Sequence, residues 1–410
     1  MNLLHSFRAL RPRTAALAEQ VACVPYDVVS AAEARTMLAD NPASFLRVVR
    51  PDATLPPGTD EHADAVYEAG AANLAAMVTT GELVPDDQPG LYAYRLAWRG
   101  RAMTGIFGCV SVEDYDAGRI VRHELTRPDK EDDRTRHLLA QMAHAEPVML
   151  AFRDEARVAE ALDAVQQTPP LYAFKAAAAG VPGETVEHTL WRFDEAAGAA
   201  LLDAFAAVPQ VYVADGHHRC KAASRAFHAL DGQNAEAARF PAVLFPVGSM
   251  RILPYHRIVT DVPEAFEADV RTRLVATDDA SPQPVRTGDV SVYLGDGRWL
   301  GIALPDTDAS DVAARLDVAR LAEFVLAPIL GIEDARTDRR LEFVGGIRGT
   351  DELERRVDAL RAEGHAAVAF AMHPTAMADL LAVSDAGELM PPKSTWFEPK
   401  LRSGLLVHPF

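Results

Sequence analysis

Residues 211–220 read VYVADGHHRC and decide how the surrounding chain is interpreted. A short β-branched run at 211–214 leads directly into an acid, a glycine, two histidines and an arginine. Apolar residues then recur on one helical face, at Ala223, Ala226, Phe227 and Leu230. The pattern predicts a strand, a tight turn and a helix. This order is typical of an anion site, because the first N–H groups of a helix lack partners within the helix.

Each residue of this turn has a candidate role. Gly216 allows close approach of the backbone, and Arg219 is expected to hold an oxyanion through two parallel hydrogen bonds. Asp215 is expected beside the bound phosphate, where it either holds Mg²⁺ or accepts a proton from an attacking hydroxyl. His217 and His218 complete the predicted phosphate site.

A purely structural interpretation of the same residues stays open. In it Asp215 caps the helix, and the two histidines are ordinary polar residues with hydrogen-bond partners. Zinc is a less favoured ligand of His217 and His218, because adjacent histidines diverge on most backbones. No cysteine and no H-x-x-x-H partner follows at ligand spacing.

A second charged segment, RHELTRPDKEDDRTRH, spans residues 122–137. We expect Glu124 to end a strand and a helix to open at Asp132. Lys130, Arg134 and His137 are spaced four and three residues apart, so they are expected to line one helical edge facing an anion. Glu124 would supply a second carboxylate to the site, although the whole segment is equally typical of a solvated loop and helix face.

Two further segments are ambiguous. In LPYHRIV (253–259), the histidine and Arg257 either reach a phosphate or are polar residues of an edge strand. In PPKSTWFEPK (391–400), Lys393 and Lys400 stand beside two aromatic residues, a combination that suits a lid over a charged small molecule. A C-terminal tail without a catalytic role is the alternative.

The composition restricts the classes of protein. The 410 residues contain 41 Lys+Arg against 59 Asp+Glu, a formal charge of −18 that disfavours nucleic acid and anionic membranes as partners. The three cysteines are far apart without CxxC spacing, which favours a reduced, cytoplasmic setting. No stretch resembles an export signal or a membrane span. We therefore expect a small-molecule partner; the oligomeric state is not indicated.

Helical and strand patterns alternate along the chain, which predicts a mixed α/β (α+β) fold. A polar, proline-containing stretch after residue 260 suggests a boundary. The expected organisation is a catalytic α/β domain at 1–260, a second α/β lobe at 261–390, and an ordered tail at 391–410 laid over a surface near the site.

Six ordered blocks resemble the domain-of-unknown-function 1015 family over nearly the whole chain. They are VPYDVVS, NPASFLRVVRP, HELT followed by K-x-x-DR-x-x-H, VADGHHR, LPYHRIV and PPKSTWFEPKLRSGL. The DGHHR block in turn looks like that of archaeal free-serine kinases of the ParB/sulfiredoxin superfamily. The resemblance implies a ParB/sulfiredoxin-like catalytic core with insertions. It also implies kinase activity in serine metabolism, in which free L-serine becomes O-phosphoserine with Mg²⁺ and ADP, ATP or pyrophosphate as donor.

By this resemblance, Asp215 and Glu124 match the carboxylates that handle the serine hydroxyl. The phosphate cradle is matched by Gly216, His217, His218 and Arg219. The chain departs from the pattern after HHR, where Cys220 replaces a commonly aromatic residue. No P-loop and no protein-kinase glycine loop is present, so pyrophosphate stays open as donor.

Two other functions use the same residues. One is a nucleotide-gated, ParB-like binding module that switches a DNA clamp, which the negative charge and the lack of a basic helix-turn-helix disfavour. The other is a phosphoester hydrolase, in which water replaces the serine hydroxyl at the same cradle.

Overall fold

The computed structural model describes residues 2–307 and 310–410. The chain has a mixed α/β fold, as the sequence predicts, and divides into two compact units. The first unit comprises Met1–Arg122, Thr126–Met250 and Pro399–Phe410. The second comprises His123–Leu125 and Arg251–Glu398. The division thus falls after residue 250, where composition suggested 260, and the terminal segment is shared between the units.

The first unit is built on an eight-stranded mixed sheet. Its strands are Tyr92–Trp98 (β3), Arg101–Ser111 (β4), Ile120–Val121 (β5), Val148–Phe152 (β7), Tyr172–Ala177 (β8), Thr185–Arg192 (β9), Val211–Asp215 (β10) and Arg239–Pro246 (β11). Short pairs flank it: Leu10–Pro12 (β1) with Leu83–Pro85 (β2), and Ala143–His144 (β6) with His408–Pro409 (β20). The order across the large sheet is β5-β10-β7-β11-β4-β3-β9-β8. The pairs β5–β10 and β7–β11 are parallel.

Helices cover the sheet of the first unit. They are Ala15–Val21 (α1), Ala31–Asp40 (α2), Leu46–Val49 (α3), Asp64–Thr79 (α4), Val112–Asp116 (α5), Pro128–Gln141 (α6), Ala156–Val165 (α7), Glu195–Phe205 (α8) and His217–Ala229 (α9). The strands β7, β10 and β11 are buried almost throughout, as expected for central strands covered on both faces. Their side chains form one apolar core with those of α7, α8 and α9.

The turn between β3 and β4 is a two-residue hairpin connection. Arg99 and Gly100 both have positive φ angles, +48° and +72°, as a two-residue type I′ connection requires. The expected start of α6 at Asp132 is wrong, because the helix begins at Pro128. Proline is favoured at the first helical position, where its missing N–H leaves no hydrogen bond unmade.

The terminal segment of the first unit corrects another expectation. Leu405, Leu406 and Val407 are completely buried, so these residues are part of the core rather than laid over its surface. Val407 exchanges two backbone hydrogen bonds with Leu10, each 2.8 Å long. Three consecutive apolar residues, LLV, are the physical reason, since exposing them would forgo the hydrophobic free energy of burial.

The second unit has a six-stranded antiparallel sheet in the order β14-β16-β15-β18-β13-β17. Its strands are Ile252–Leu253 (β12), Tyr255–Thr260 (β13), Val275–Asp278 (β14), Asp289–Tyr293 (β15), Trp299–Ala303 (β16), Leu341–Gly345 (β17), Ala367–Met372 (β18) and Trp396–Phe397 (β19), of which β12 and β19 form a separate pair. Its helices are Phe266–Arg273 (α10), Asp317–Leu321 (α11), Ala327–Leu330 (α12), Asp351–Ala362 (α13) and Met377–Asp385 (α14).

The three cysteines, Cys23, Cys109 and Cys220, are buried and unpaired with one another. Burial raises the pKa of each thiol. Among the helices of the described residues, none combines the length and the apolar character needed to cross a bilayer.

A buried histidine of the second unit makes folding sensitive to pH. His256 is buried in β13, and its Nδ1 accepts a hydrogen bond from the N–H of Met372 at 3.1 Å. Burial, assisted by the charge of Arg257, lowers the pKa of His256 to about 4. In the unfolded chain a histidine has a pKa of about 6.5, so the unfolded state binds the extra proton between these values and stability falls as pH falls.

We predict that His256→Asn removes the contribution of this histidine to the pH dependence of stability. The asparagine keeps an acceptor for the N–H of Met372 but does not titrate. Between pH 6.5 and 4, the slope of its unfolding free energy should be smaller than that of the wild type by at most about 1.4 kcal/mol per pH unit. Urea unfolding at several pH values measures the slope. The exposed His365→Asn is the control and should behave as the wild type; equal slopes for all three proteins would refute the assignment.

Candidate functional site

The predicted strand–turn–helix is formed by β10 and α9 of the first unit. Gly216 caps α9 in the left-handed region, at φ +100° and ψ +31°, and no side chain caps the helix. A Cβ at this position would lie 3.0 Å from Arg219 Nε and 3.1 Å from a methyl group of Val148. Both the backbone angle and the crowding therefore require glycine. The positive end of the helix dipole lies at this turn.

A register shift in β10 directs Asp215 out of the sheet. Val213 pairs with Leu150 and Asp215 pairs with Met149, so Ala214 is an extra residue on this strand. Such bulges redirect a side chain at the end of a strand. Asp215 therefore lies at the exit of β10, one residue before the glycine cap, with 26% of its side chain exposed.

Two cations hold the carboxylate of Asp215. Its Oδ2 accepts a hydrogen bond from Arg219 Nη2 at 3.2 Å and lies 3.5 Å from Lys400 Nζ. Burial alone would raise the pKa of Asp215, but the charges of Lys400 and Arg219 outweigh it, and the pKa lies well below its ordinary value. The group is ionised at neutral pH. Among the described residues, Oδ1 takes part in no hydrogen bond or ion pair.

Arg219 differs from its predicted role. The side chain is buried, its Nη1 donates to the carbonyl oxygen of Pro147, and its Nη2 donates to Asp215. Both ends of the guanidinium fork are thus occupied within the protein, because the first turn of α9 places residue 219 back against residue 215. Nε has no partner among the described residues. Each Nη of Arg219 thus uses one of its two N–H groups within the protein, and Nε–H is left without a partner within the described chain.

A cavity of about 40 Å³ lies beside Arg219. It is lined by Val49, Arg134, His137, Leu138, Gln141, His144, Ala145, Glu146, Val148, Arg219, Ala222, Phe240 and Pro241. This volume holds about three water molecules or one small polar group. Besides Arg219 Nε, two buried ring nitrogens of the lining residues have no partner within the described chain, His137 Nδ1 and His144 Nε2. Buried polar atoms normally have a partner, so the cavity is built for polar contents.

Glu146 is a site residue that sequence reasoning missed. Its Oε1 accepts hydrogen bonds from the N–H of Tyr26 at 3.1 Å and from Ser403 Oγ at 3.3 Å. Burial raises the pKa of Glu146, and the charges of Arg219 and Arg134 only partly oppose the shift. The sequence did contain a signal for Glu146. It lies inside the apolar run AHAEPVMLAF at 143–152, and a glutamate in such a buried run is expected to have a partner rather than to be exposed.

Two of the three residues predicted to line one edge of α6 lie at the cavity. Arg134 and His137 are buried and line the cavity, whereas Lys130 is half-buried and is not among the lining residues. Arg134 donates to Asp133 Oδ2 through Nε at 2.9 Å and Nη2 at 2.6 Å, and its guanidinium lies 3.9 Å from the ring centre of Tyr26. Burial, with the charge of Arg134, lowers the pKa of His137 to about 3, so this ring is neutral at pH 7.

The other predicted residues are distributed differently. His217 is buried at the first position of α9. His218 is half-buried, and its Nε2 accepts a hydrogen bond from the N–H of Arg127 at 3.1 Å, which ties α9 to the start of α6. Glu124 and Lys393 belong to the second unit. Lys400 was predicted only as part of the tail, although it is one of the two cations that hold Asp215.

Residues 4–319 match the family described as "Protein of unknown function (DUF1015)". The chain belongs to this family. The predicted membership is thereby confirmed, and the match covers the whole strand–turn–helix of this DUF1015 protein. None of the curated proteins matches the chain.

Several solved structures are similar to the chain, and free serine kinases are among them, as the sequence resemblance predicts. A free serine kinase in complex with AMP is 12% identical, with 71% of this chain and 86% of that chain covered and a TM-score of 0.36. A mutant free serine kinase in complex with ADP is 14% identical, with 71% and 87% covered and a TM-score of 0.35. SbnI with a C-terminal truncation, from Staphylococcus aureus, is 13% identical, with 73% and 86% covered and a TM-score of 0.39.

The ion pair between Lys400 and Asp215 should be energetically strong, because only 11% of the lysine side chain is exposed. We predict a coupling free energy of about 1–3 kcal/mol in a double-mutant cycle of Lys400→Met and Asp215→Asn. Chemical unfolding at pH 7 measures it. The exposed pair Lys175–Glu187, at 2.9 Å, is the matched control and should show less than about 1 kcal/mol. A coupling no larger than the control's would contradict the described contact.

Proposed function

We propose that this chain is a small-molecule phosphotransferase, and that its acceptor is the hydroxyl of free L-serine, which becomes O-phosphoserine. The observation that carries the proposal is the ionised Asp215, held by Lys400 and Arg219 one residue before Gly216, the N-cap of α9. The acceptor identity comes from the resemblance of the DGHHR segment to that of free-serine kinases.

The phosphate would be held at the beginning of α9. The positive dipole end of a 13-residue helix favours an anion there. Lys400 adds a positive charge beside the turn. Phosphoryl transfer depends mainly on positioning and charge neutralisation, which this arrangement supplies.

Asp215 would orient the acceptor. Its Oδ1 is left for the serine hydroxyl, which donates a hydrogen bond to it while the hydroxyl oxygen attacks the phosphorus. The new oxygen–phosphorus bond forms as the bond to the leaving group breaks, and the hydroxyl proton passes to Asp215 and then to water. A carboxylate with a lowered pKa is a weak base, but the loose transition state of phosphoryl transfer requires proton removal only late.

Magnesium fits this donor set. Mg²⁺ is commonly bound by one or two carboxylates together with substrate phosphates, and Oδ1 of Asp215 would hold the ion in the alternative arrangement in which water, and not Asp215, takes up the hydroxyl proton. When bound, the ion would neutralise charge on the transferred phosphoryl group. ADP, ATP and pyrophosphate are all proposed donors. Glu124 stays the proposed second carboxylate and Lys130 a proposed phosphate contact. We also propose a cytoplasmic location, which suits three unpaired cysteines.

The first test is an activity assay. Purified protein with Mg²⁺ and L-serine should form O-phosphoserine with at least one of ADP, ATP and pyrophosphate, detected by mass spectrometry. We predict that Asp215→Asn lowers kcat by about 10²–10⁴, because it removes the acceptor of the hydroxyl proton. Asp163→Asn, which changes an exposed carboxylate of the same unit, should retain full activity.

The same assay separates the competing functions. Product at an unchanged rate with Asp215→Asn, in a variant that melts like the wild type, would refute the role of Asp215. Lack of phosphoserine with every donor would refute the kinase, and release of phosphate from a phosphoester without serine would identify a hydrolase.

A further inference from the structure

Arg257 is a buried cation in the middle of β13 of the second unit. Only 3% of the residue is exposed, and its backbone lies between Phe343 of β17 and Phe370 of β18. Its Nη1 donates to the carbonyl oxygen of Tyr255, and its Nη2 donates to that of Lys393 at 3.3 Å. Carbonyl oxygens satisfy N–H groups but bring no negative charge.

Among the described residues, no carboxylate forms an ion pair with Arg257. The buried Arg134, Arg219 and Arg320 differ, because each contacts an aspartate within 3.2 Å. A buried charge is normally paired, since its removal from water is expensive. Consistent with an unpaired cation, burial lowers the pKa of Arg257 to about 10.

A second cation lies beside this position. The ammonium of Lys393 is 5.4 Å from the ring centre of Tyr255, and the lysine is exposed. Its φ of +56° lies in the left-handed region, which a residue with a side chain adopts at a penalty of about 1–2 kcal/mol. The turn is held by Ser394, whose hydroxyl donates to Pro391 and whose carbonyl accepts from Thr375. Strained backbone of this kind clusters at ligand sites.

Aromatic and polar side chains of the same segment lie close by. Glu398 accepts a hydrogen bond from the indole of Trp396 at 2.9 Å. The Trp396 ring lies 5.0 Å from that of Tyr255, in an edge-to-face arrangement. The segment around Lys393 therefore combines aromatic rings with two positive charges, and among the described residues neither cation forms an ion pair with a carboxylate.

We propose that Arg257 and Lys393 form an anion-binding site of the second unit that takes a phosphate or carboxylate group. The anion would replace the long hydrogen bond from Arg257 to the Lys393 carbonyl with a charge-assisted one, and would lie between the guanidinium and the ammonium. This site is separate from the phosphotransferase proposal, because none of its residues belongs to the first unit.

Hydrogen exchange read by mass spectrometry tests the site locally. Inorganic phosphate is added to the protein in one experiment and acetate, which represents a carboxylate ligand, in a second. The ionic strength is kept constant, and chloride is the reference anion. We predict slower exchange in peptides covering residues 392–397 of the wild type and equally of Asp215→Asn. Protection by phosphate alone identifies a phosphate site, and protection by both identifies a general oxyanion site. No protection by either at about 10 mM, where a millimolar site is mostly filled, overturns the proposal.

Variants assign the residues. Lys393→Met changes an exposed side chain, and it should weaken phosphate binding about tenfold or more. Arg257→Met should abolish the protection and the phosphate-dependent rise in Tm, while its Tm without phosphate should equal or exceed that of the wild type, because an unpaired buried charge is removed. Arg273→Met, at an exposed arginine of the same unit, should bind normally. Unchanged protection in the Lys393 variant overturns the proposal even if the Arg257 variant does not fold.

Discussion

An ionised carboxylate at the end of a largely buried strand is the constraint on which the first unit depends. Asp215 is stable in its charged form only because Lys400 and Arg219 lie within 3.5 Å of it. Arg219 is local, since it follows on the first turn of α9. Lys400 is remote in sequence and must be brought to the site by the rest of the fold.

The burial of residues 405–407 explains how Lys400 is held beside Asp215. Leu405, Leu406 and Val407 anchor the terminal segment in the core, and Ser403 exchanges backbone hydrogen bonds with Cys23. The same segment supplies Ser403 Oγ to Glu146. The segment Pro399–Phe410 thus contributes both buried apolar side chains and polar contacts. The charge environment of Asp215 and the stability of the first unit are therefore coupled.

Local patterns were the part that the sequence could predict. The order of strand, glycine and helix at 211–220 follows from side-chain periodicity and from the conformational freedom of Gly216, and both depend on near neighbours only. The hairpin at residue 99 was predictable for the same reason. The burial of Leu405, Leu406 and Val407 was not predicted, because the tail at 391–410 has no periodicity of its own and its burial depends on a core assembled elsewhere.

The contacts that complete the candidate site depend on distant residues, so a single sequence does not reveal them. Glu146 meets Tyr26 and Ser403 from opposite ends of the chain, and only the assembled fold brings these three residues together. Arg219 illustrates a different limit of prediction from sequence. An arginine predicts a contact with an anion, but its residue type does not tell whether that anion is a ligand or a neighbouring side chain.

Charge balance distinguishes these two cases for arginine. Arg219 is buried beside Asp215 and Arg134 beside Asp133, so each guanidinium has its anion within the fold. Arg257 is buried more deeply and has carbonyl oxygens instead, which orient the guanidinium without neutralising it. A fold that retained such a residue for stability alone would gain more from an apolar side chain of similar size. Arg257 is therefore better explained by an anion that comes from outside the chain.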